Sequence, residues 1–244
     1  MDYQSWMRYR GCAETTIEQR ARIVARARDE LGRLDRVQAA KVADWLMGWE
    51  HPTTRATYLS ALRSWWRWRG VVDPMREQPA IRRPVSVPRP VPLDVVRAAI
   101  DASDGHVRIW ISLMAYAGLR GMEVAATGPA HLDGQRLYLP RCKGGGDGMA
   151  HLPLWLADEL RQTRAWHVDT AHVRRCVRQA LRQAGSNATP HALRHTYGTA
   201  MLRATGGDLR ETQTAMRHKS VSSTQIYTLV DGLRISQAAD RLPR

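Results

Sequence analysis

The sequence predicts a mainly α-helical protein with a small antiparallel β-meander, arranged as an N-terminal helical bundle followed by a larger domain. Three observations predict it. Apolar residues recur at helical spacing over most of the 244 residues. One stretch, 131–154, has strand-like composition around a glycine-rich turn, and six prolines gather between Pro74 and Pro92. The expected boundaries are a bundle over 1–70, a Pro/Arg-rich linker over 71–92 and a second domain over 93–244.

In the bundle, Ile17, Val24 and Leu31 share one face of a helix starting near Thr15, and Val37–Trp49 continues the pattern. Thr53 and Thr54 are placed to cap a helix that turns Tyr58, Leu59, Leu62, Trp65 and Trp66 inward and ends at Gly70. Arg55, Arg63, Arg67 and Arg69 fall on its other side. About four helices are expected in all. Trp45, Trp49, Trp65, Trp66 and Trp68 read as core rather than as stacking platforms for bases. The linker carries Arg82, Arg83 and Arg89 among prolines that neither build a helix nor tolerate a central strand. It suits a strap along a polyanion as well as a plain solvated connection.

Past the linker, Leu93–Ala102 and His106–Ala117 read as helices, the second stopped by Gly118. Gln135–Leu139 and Met149–Leu154 read as strands flanking Arg141–Gly148, which puts Lys143 near the tip of a turn. Helices resume over Leu154–Trp166, over Ala171–Ala184 with Arg174, Arg175, Arg178 and Arg182, and over Pro190–Arg203. Asp231–Leu242 is a further, weaker one.

A net charge of +14 and a pI near 10.7 point to a polyanionic partner, most often nucleic acid. The excess is spread along the chain, so both halves can face a phosphate backbone. Only Lys41, Lys143 and Lys219 are lysines, a bias that a GC-rich coding sequence explains; a lysine retained in such a chain still draws notice. Cys12, Cys142 and Cys176 lie far apart with no metal-ligand spacing, which argues against disulfides or a zinc site and for a reducing compartment. No apolar run reaches 18 residues and the N-terminus has no signal-peptide core, so a cytoplasmic protein with no membrane partner is expected.

The chemistry concentrates near the C-terminus. Thr189-Pro190 opens a helix whose first turn carries His191, with Arg194 three residues on, a receptacle suited to a phosphodiester. Arg217-His218-Lys219 and Tyr227 follow. Far upstream, Gly118-Leu119-Arg120-Gly121-Met122-Glu123 sets another arginine just past a helix end with an acid three residues later. Two arginines from separate elements can clamp both non-bridging oxygens of one phosphate. His191 and His195 are spaced like a metal pair, but Ala192 stands where the HExxH motif has its acid, so no metal is expected.

The ordered set Arg120, Lys143, His191-x-x-Arg194, His218 and Tyr227 resembles the tyrosine recombinases, the phage-integrase-type site-specific recombinases. The resemblance spans the chain, with the bundle and linker similar to the family's core-binding domain and tether. It implies that Tyr227 attacks a scissile phosphate to give a 3′-phosphotyrosyl link, with Arg120 and Arg194 holding the phosphate and no cofactor. It further implies that Lys143 protonates the leaving 5′-oxygen, that His191 relays a proton near the tyrosine, and that His218 hydrogen-bonds the phosphate. Glu123 supports the site by orienting it. Arg141 is the alternative to Lys143, because the turn continues Gly145-Gly146-Asp147-Gly148 rather than with basic residues. Arg55, Arg63, Arg67, Arg82, Arg83, Arg174 and Arg178 are the candidate DNA contacts.

The partners implied are double-stranded DNA core sites, a homotetramer on two sites passing through a Holliday junction, and an accessory directionality factor. Segment 231–244 is a candidate for exchange between protomers, or for docking on its own. With the bundle starting almost at Met1, the expectation is a compact, Xer-like enzyme in the bacterial nucleoid that clamps short core sites and lacks an arm-binding domain. Integration and excision of a phage or mobile element is the expected role. The alternatives are Xer-like dimer resolution, a relaxing topoisomerase of the same chemistry, and a DNA-binding regulator that has lost catalysis.

Overall fold

The computed structural model of the chain describes residues 1–84, 87–140, 142 and 146–217. It divides into two compact units, Met1–Val85 and Ser86–Arg244, each with its own hydrophobic core.

The first unit contains α1 (Tyr3–Tyr9), α2 (Glu14–Leu31), α3 (Ala39–Met47) and α4 (Pro52–Arg69). Helix α1 is capped by Asp2, whose carboxylate accepts from the Ser5 N–H at 2.9 Å. Ile17, Val24, Ala27 and Leu31 of α2 are buried against Leu59, Leu62, Trp65 and Trp66 of α4 in one core. Helix α4 begins earlier than the threonines suggested. His51 is the residue before the helix and Pro52 its first, because proline's fixed φ and missing N–H suit that position; Thr53 and Thr54 lie in the first turn. Gly70 closes the helix in the left-handed region, φ 66°.

The tryptophans divide. Trp65 and Trp66 are buried, Trp66 donating to the Leu34 carbonyl at 2.8 Å, and Trp45 and Trp68 pack on the core. Trp49 lies at the edge, against Tyr58 (4.6 Å between ring centroids) and with the Arg26 guanidinium 4.5 Å over its ring. The proline-rich stretch is tied down at both ends. Arg63 reaches Asp73 at 2.8 Å and the Met75 carbonyl at 3.1 Å, and Met75 is buried in the first core. At the other end, Val91 is buried in the second unit and exchanges two hydrogen bonds with the Thr196 hydroxyl, at 2.8 and 2.9 Å.

The second unit is mostly helical with a three-stranded antiparallel sheet. It runs α5 (Leu93–Asp101), α6 (Gly105–Tyr116), α7 (Gly121–Ala126), a 3₁₀ turn (Pro129–His131), then β1 (Leu132–Asp133), β2 (Arg136–Leu139) and β3 (Gly148–His151). Helices α8 (Leu154–Gln162), α9 (Thr170–Gln183), α10 (Pro190–Ala204) and α11 (Leu209–Ala215) follow. Strand β2 alternates as a half-buried strand should: Leu137 and Leu139 face the core and pair with Ala150 and Gly148.

Helix α6 is apolar almost all round, from Ile109 to Ala115, and serves as the central post against which α5, α9 and α10 pack. Two short helices, α7 and α11, carry too few residues for a periodic signal. Helix α8 stops at Gln162, short of the expected Trp166; that indole is held outside any helix by donating to the Val124 carbonyl at 2.9 Å. No helix among the described residues is long and apolar enough to cross a membrane.

Candidate active site

The site is organised around one backbone carbonyl, that of Gly118, in the loop joining α6 to α7. Gly118 has φ +65°, a conformation that side chains disfavour. Here a side chain is also excluded by packing. A β-carbon would stand 2.7 Å from Tyr197 Cε1 and closer still to Cδ1, so the loop lies flat on the Tyr197 ring of α10. Leu119, buried next door, pins the loop into the core. The next residue, Arg120, is thereby presented at the head of α7.

Arg120 is held by Glu123 one turn later. The carboxylate accepts from the Arg120 N–H at 2.9 Å and from its guanidinium at 2.8 Å. Glu123 is almost fully buried, at 1 % exposure. Burial alone would raise its carboxyl pKa. The bond from the Arg120 N–H, the charge of Arg217 and the Arg120 guanidinium together outweigh that and hold it below the usual carboxylate range. Glu123 therefore stays ionised at neutral pH and positions rather than transfers protons.

Arg194 comes from the first turns of α10. Thr189 precedes the helix and Pro190 opens it, although the Thr189 side chain makes no capping bond. Residues 191 and 194 diverge in burial: His191 is exposed, while Arg194 is 1 % exposed. Two Nη groups of Arg194 donate to the carbonyls of Gly118 and Met216, which stitches α10 to the α6–α7 loop and to the end of α11. The His191 and His195 rings sit edge to face, 4.8 Å between centroids. Burial, and then the charge of Arg194, lower the pKa of His195.

A third arginine belongs to this cluster and had no role assigned from sequence. Arg217, just past α11, donates to Glu123 Oε2 at 3.2 Å, to the Gly118 carbonyl at 3.1 Å and to the Ala117 carbonyl at 3.4 Å. Its place in the polar run 217–219 was the only signal. The β2–β3 turn approaches the same group. The Cys142 N–H donates to the Gly146 carbonyl at 2.8 Å, and the Cys142 thiol is pushed up by burial and then by the charge of Glu123.

The structure thus gathers Arg120, Glu123 and Arg194, with Arg217 added. Lys143, His218 and Tyr227, together with Arg141 and segment 231–244, lie outside the described residues. Among the described residues there is no cluster of three His, Cys, Asp or Glu side chains suited to a metal ion.

The other candidate arginines fall into distinct settings. On α9, Arg174 and Arg178 are exposed, and Arg174 runs over Gly121 at the start of α7, where a β-carbon would sit 3.3 Å from its Cγ. In the first unit Arg10, Arg20, Arg63, Arg67 and Arg83 line an open hollow of about 420 Å³ between α1, α2 and α4. Arg67, Arg82 and Arg83 are exposed. Arg55 is not presented in that way, since its guanidinium donates to the Glu50 carbonyl at 3.0 Å and to the Met47 sulfur.

Comparison with known proteins bears on both units. The model of the phage integrase family matches residues 155–233. Tyrosine recombinase XerA of Thermococcus kodakarensis is 27% identical over 206 residues, 75% of this chain and 73% of that protein. Tyrosine recombinase XerC of Chromobacterium violaceum is 29% identical over 217 residues, 76% of this chain and 72% of that one. A shorter match, to XerC of Rhizobium meliloti, reaches 53% over 55 residues, 22% of this chain and 17% of that protein. Among solved structures, XerA recombinase aligns with 99% of this chain and 97% of its own at a TM-score of 0.54 and 22% identity. A lambda integrase (75-356) dimer bound to a COC′ core site aligns over 92% of each chain at a TM-score of 0.75 and 17% identity. At those identities the structural likeness is one of fold.

Proposed function

We propose that this chain is a site-specific DNA recombinase of the phage integrase family, the tyrosine recombinases, whose family model matches residues 155–233. It cuts and rejoins DNA through a 3′-phosphotyrosyl intermediate. The observation that carries the reading is the convergence of Arg120, Glu123, Arg194 and Arg217 on one loop, from stretches up to 99 residues apart. Two guanidiniums on a single buried carboxylate, with a third, that of Arg194, bound to the same loop, leave a net positive site, which is what a phosphodiester gathering charge in a pentacoordinate transition state requires.

In this reading Arg120 and Arg194 hold the two non-bridging oxygens and Tyr227 supplies the nucleophilic oxygen. The bond from phosphorus to the 5′-oxygen breaks, Lys143 returns a proton to that oxygen, and His191 and His218 handle the tyrosine proton and the phosphate. The phosphodiester energy is kept in the tyrosyl ester, so no nucleotide cofactor is needed. A phenol titrates near 10 in water, and an approach to the cluster of Arg120, Arg194 and Arg217 would favour its ionised form. Strand exchange proceeds in a tetramer on two double-stranded core sites, through a Holliday junction, with segment 231–244 linking protomers in the bacterial nucleoid. The proline-rich stretch and the arginine-lined hollow of the first unit supply backbone contacts.

The test is a nicked suicide substrate carrying the core site. Wild-type protein is expected to accumulate a covalent adduct and Tyr227→Phe none; an adduct that survives the substitution overturns the mechanism. The biological role we assign is integration and excision of a mobile element. Sequencing the DNA trapped covalently on the protein in its host separates this role from Xer-like dimer resolution, since it finds either the ends of an element or a fixed chromosomal site. Efficient relaxation of supercoiled DNA lacking any core site would instead indicate a topoisomerase.

A further inference from the structure

We propose that Arg217 is a positioning residue for the recombination reaction: by binding the second oxygen of Glu123, it lets that carboxylate orient Arg120 without cancelling Arg120's charge. The proposal rests on the recombinase reading for its catalytic consequence and on geometry for its cause.

The geometry begins with the backbone. Arg217 has φ +52°, the one non-glycine residue in the left-handed region among those described. A long side chain is disfavoured there, and such residues persist where surrounding contacts over-determine them. The contacts are present. The Arg217 side chain is 13 % exposed, and its guanidinium joins Glu123 Oε2 to the carbonyls of Gly118, Ala117 and Ala215. It crosses 94 residues of sequence to reach the carboxylate that fixes Arg120.

The charges explain why a second cation is needed there. Glu123 has no side-chain exposure and holds Arg120 at 2.8 Å. A buried carboxylate paired with one guanidinium forms a neutral unit, and a neutral unit has little attraction for a phosphate diester. With Arg217 on the other oxygen, the Arg120–Glu123–Arg217 group keeps one net positive charge. Arg194, bound to the same Gly118 carbonyl, adds another. The groups that face Glu123 are thus Arg120 from α7, Arg217 beyond α11, Cys142 from the β2–β3 turn and, through Gly118, Arg194 from α10.

Two measurements test this. The first is single-turnover cleavage of the suicide substrate at saturating protein. Arg217→Gly, which relieves the left-handed backbone, is expected to bind DNA nearly as the wild type does and to cleave roughly 10- to 100-fold more slowly. Adding Glu123→Gln to Arg217→Gly is expected to restore part of the rate, because the amide still accepts from the Arg120 N–H but no longer neutralises its guanidinium. A merely structural staple predicts further loss in the double variant. A double variant as slow as Arg217→Gly or slower overturns the proposal, as does an Arg217→Gly that cleaves at the wild-type rate.

The second measurement needs no activity: the melting temperature of wild type and Arg217→Gly from pH 7 down to about 3.5. Glu123 has a depressed pKa, so its contribution is complete above the ordinary carboxylate value near 4.3 and is lost as pH falls through the lower folded value. Removing Arg217 lessens the depression, so the difference between the two proteins is expected to change across that window and to be constant in a Glu123→Gln background. A difference independent of pH throughout overturns the coupling. Absence of any adduct from wild-type protein would count against the recombinase reading alone, and the melting experiment would still decide the pairing.

Discussion

Arginine is used in two opposite ways by the two units of this chain. In the first unit several guanidiniums stay near water: Arg8 pairs with Glu14 at 2.7 Å and Arg33 with Asp35 at 2.9 Å, with the arginines more than half exposed. Arg10, Arg26, Arg28 and Arg69 lie over tryptophan rings. In the second unit Arg194 and Arg217 are withdrawn into the protein and donate to backbone carbonyls and, for Arg217, to the buried Glu123 carboxylate as well. An exposed guanidinium contributes field and can be exchanged for another; a buried one fixes the position of chain segments and cannot. The difference teaches that Arg194 and Arg217 are structural parts of the site before any substrate arrives.

The largest effect that would break this contrast is at Arg194. Arg194→Lys replaces a fork with a single ammonium that cannot serve the Gly118 and Met216 carbonyls together. The expected cost is about 2–4 kcal/mol in urea unfolding, with no covalent adduct formed. Arg8→Ala, by comparison, is expected to leave the unfolding midpoint unchanged. Equal stability of Arg194→Lys and wild type would show that the buried fork is not structural.

Gly118→Ala comes next. The new methyl meets the Tyr197 ring and the backbone must keep φ +65°, so a loss of about 2–3 kcal/mol is expected. Measured in a Tyr197→Ala background, which has room for the methyl but leaves the φ penalty, the loss should shrink by the collision part alone. Full recovery would mean that packing, and not backbone conformation, demands glycine here.

The sequence made these residues visible to very different degrees. Arg120, Glu123 and Arg194 stood in short motifs whose spacing already suggested a shared purpose, and the long amphipathic helices α2, α4 and α9 showed in their apolar periodicity. Arg217 was in plain view beside His218, yet nothing in the letters reveals that its backbone is left-handed or that its side chain points back to Glu123. Side-chain direction depends on backbone and side-chain dihedrals together, and those of Arg217 are held by contacts with residues about a hundred positions away. The same limit hid the burial of Arg194: a helical wheel places it with His191, but packing against α6 and the Gly118 loop separates them. Helices α7 and α11, at six and seven residues, are shorter than the periodicity that would announce them. Thr53 and Thr54 misplaced the start of α4 because a proline ahead of them was the stronger signal.

A smaller effect should appear on lowering the pH. His195 has a pKa lowered by burial and by Arg194, with the His191 ring as its other close neighbour. A histidine with a depressed folded pKa contributes stability above its unfolded value, near 6.5, and loses it as pH falls toward the folded value. The wild-type melting temperature is therefore expected to decline between pH 7 and 5 more than that of His195→Gln, by less than either change at Arg194 or Gly118. Parallel curves would place the acid sensitivity elsewhere.

The smallest effect on stability is the sharpest test of the first unit's arginines. Arg63 and Arg67 are one turn apart on α4 and line the same hollow, but Arg63 is tied to Asp73 and the Met75 carbonyl while Arg67 is exposed. Arg67→Ala is expected to change stability by less than about 0.5 kcal/mol. If it contacts a phosphate, the slope of log affinity for DNA against log salt should become shallower by about 1. Arg63→Ala is expected to lower the melting temperature while leaving that slope alone, because its charge already belongs to Asp73. Should both substitutions reduce the slope equally, the Arg63–Asp73 pair must open on DNA, and an arginine that is structural in the free protein would become part of the field in the complex.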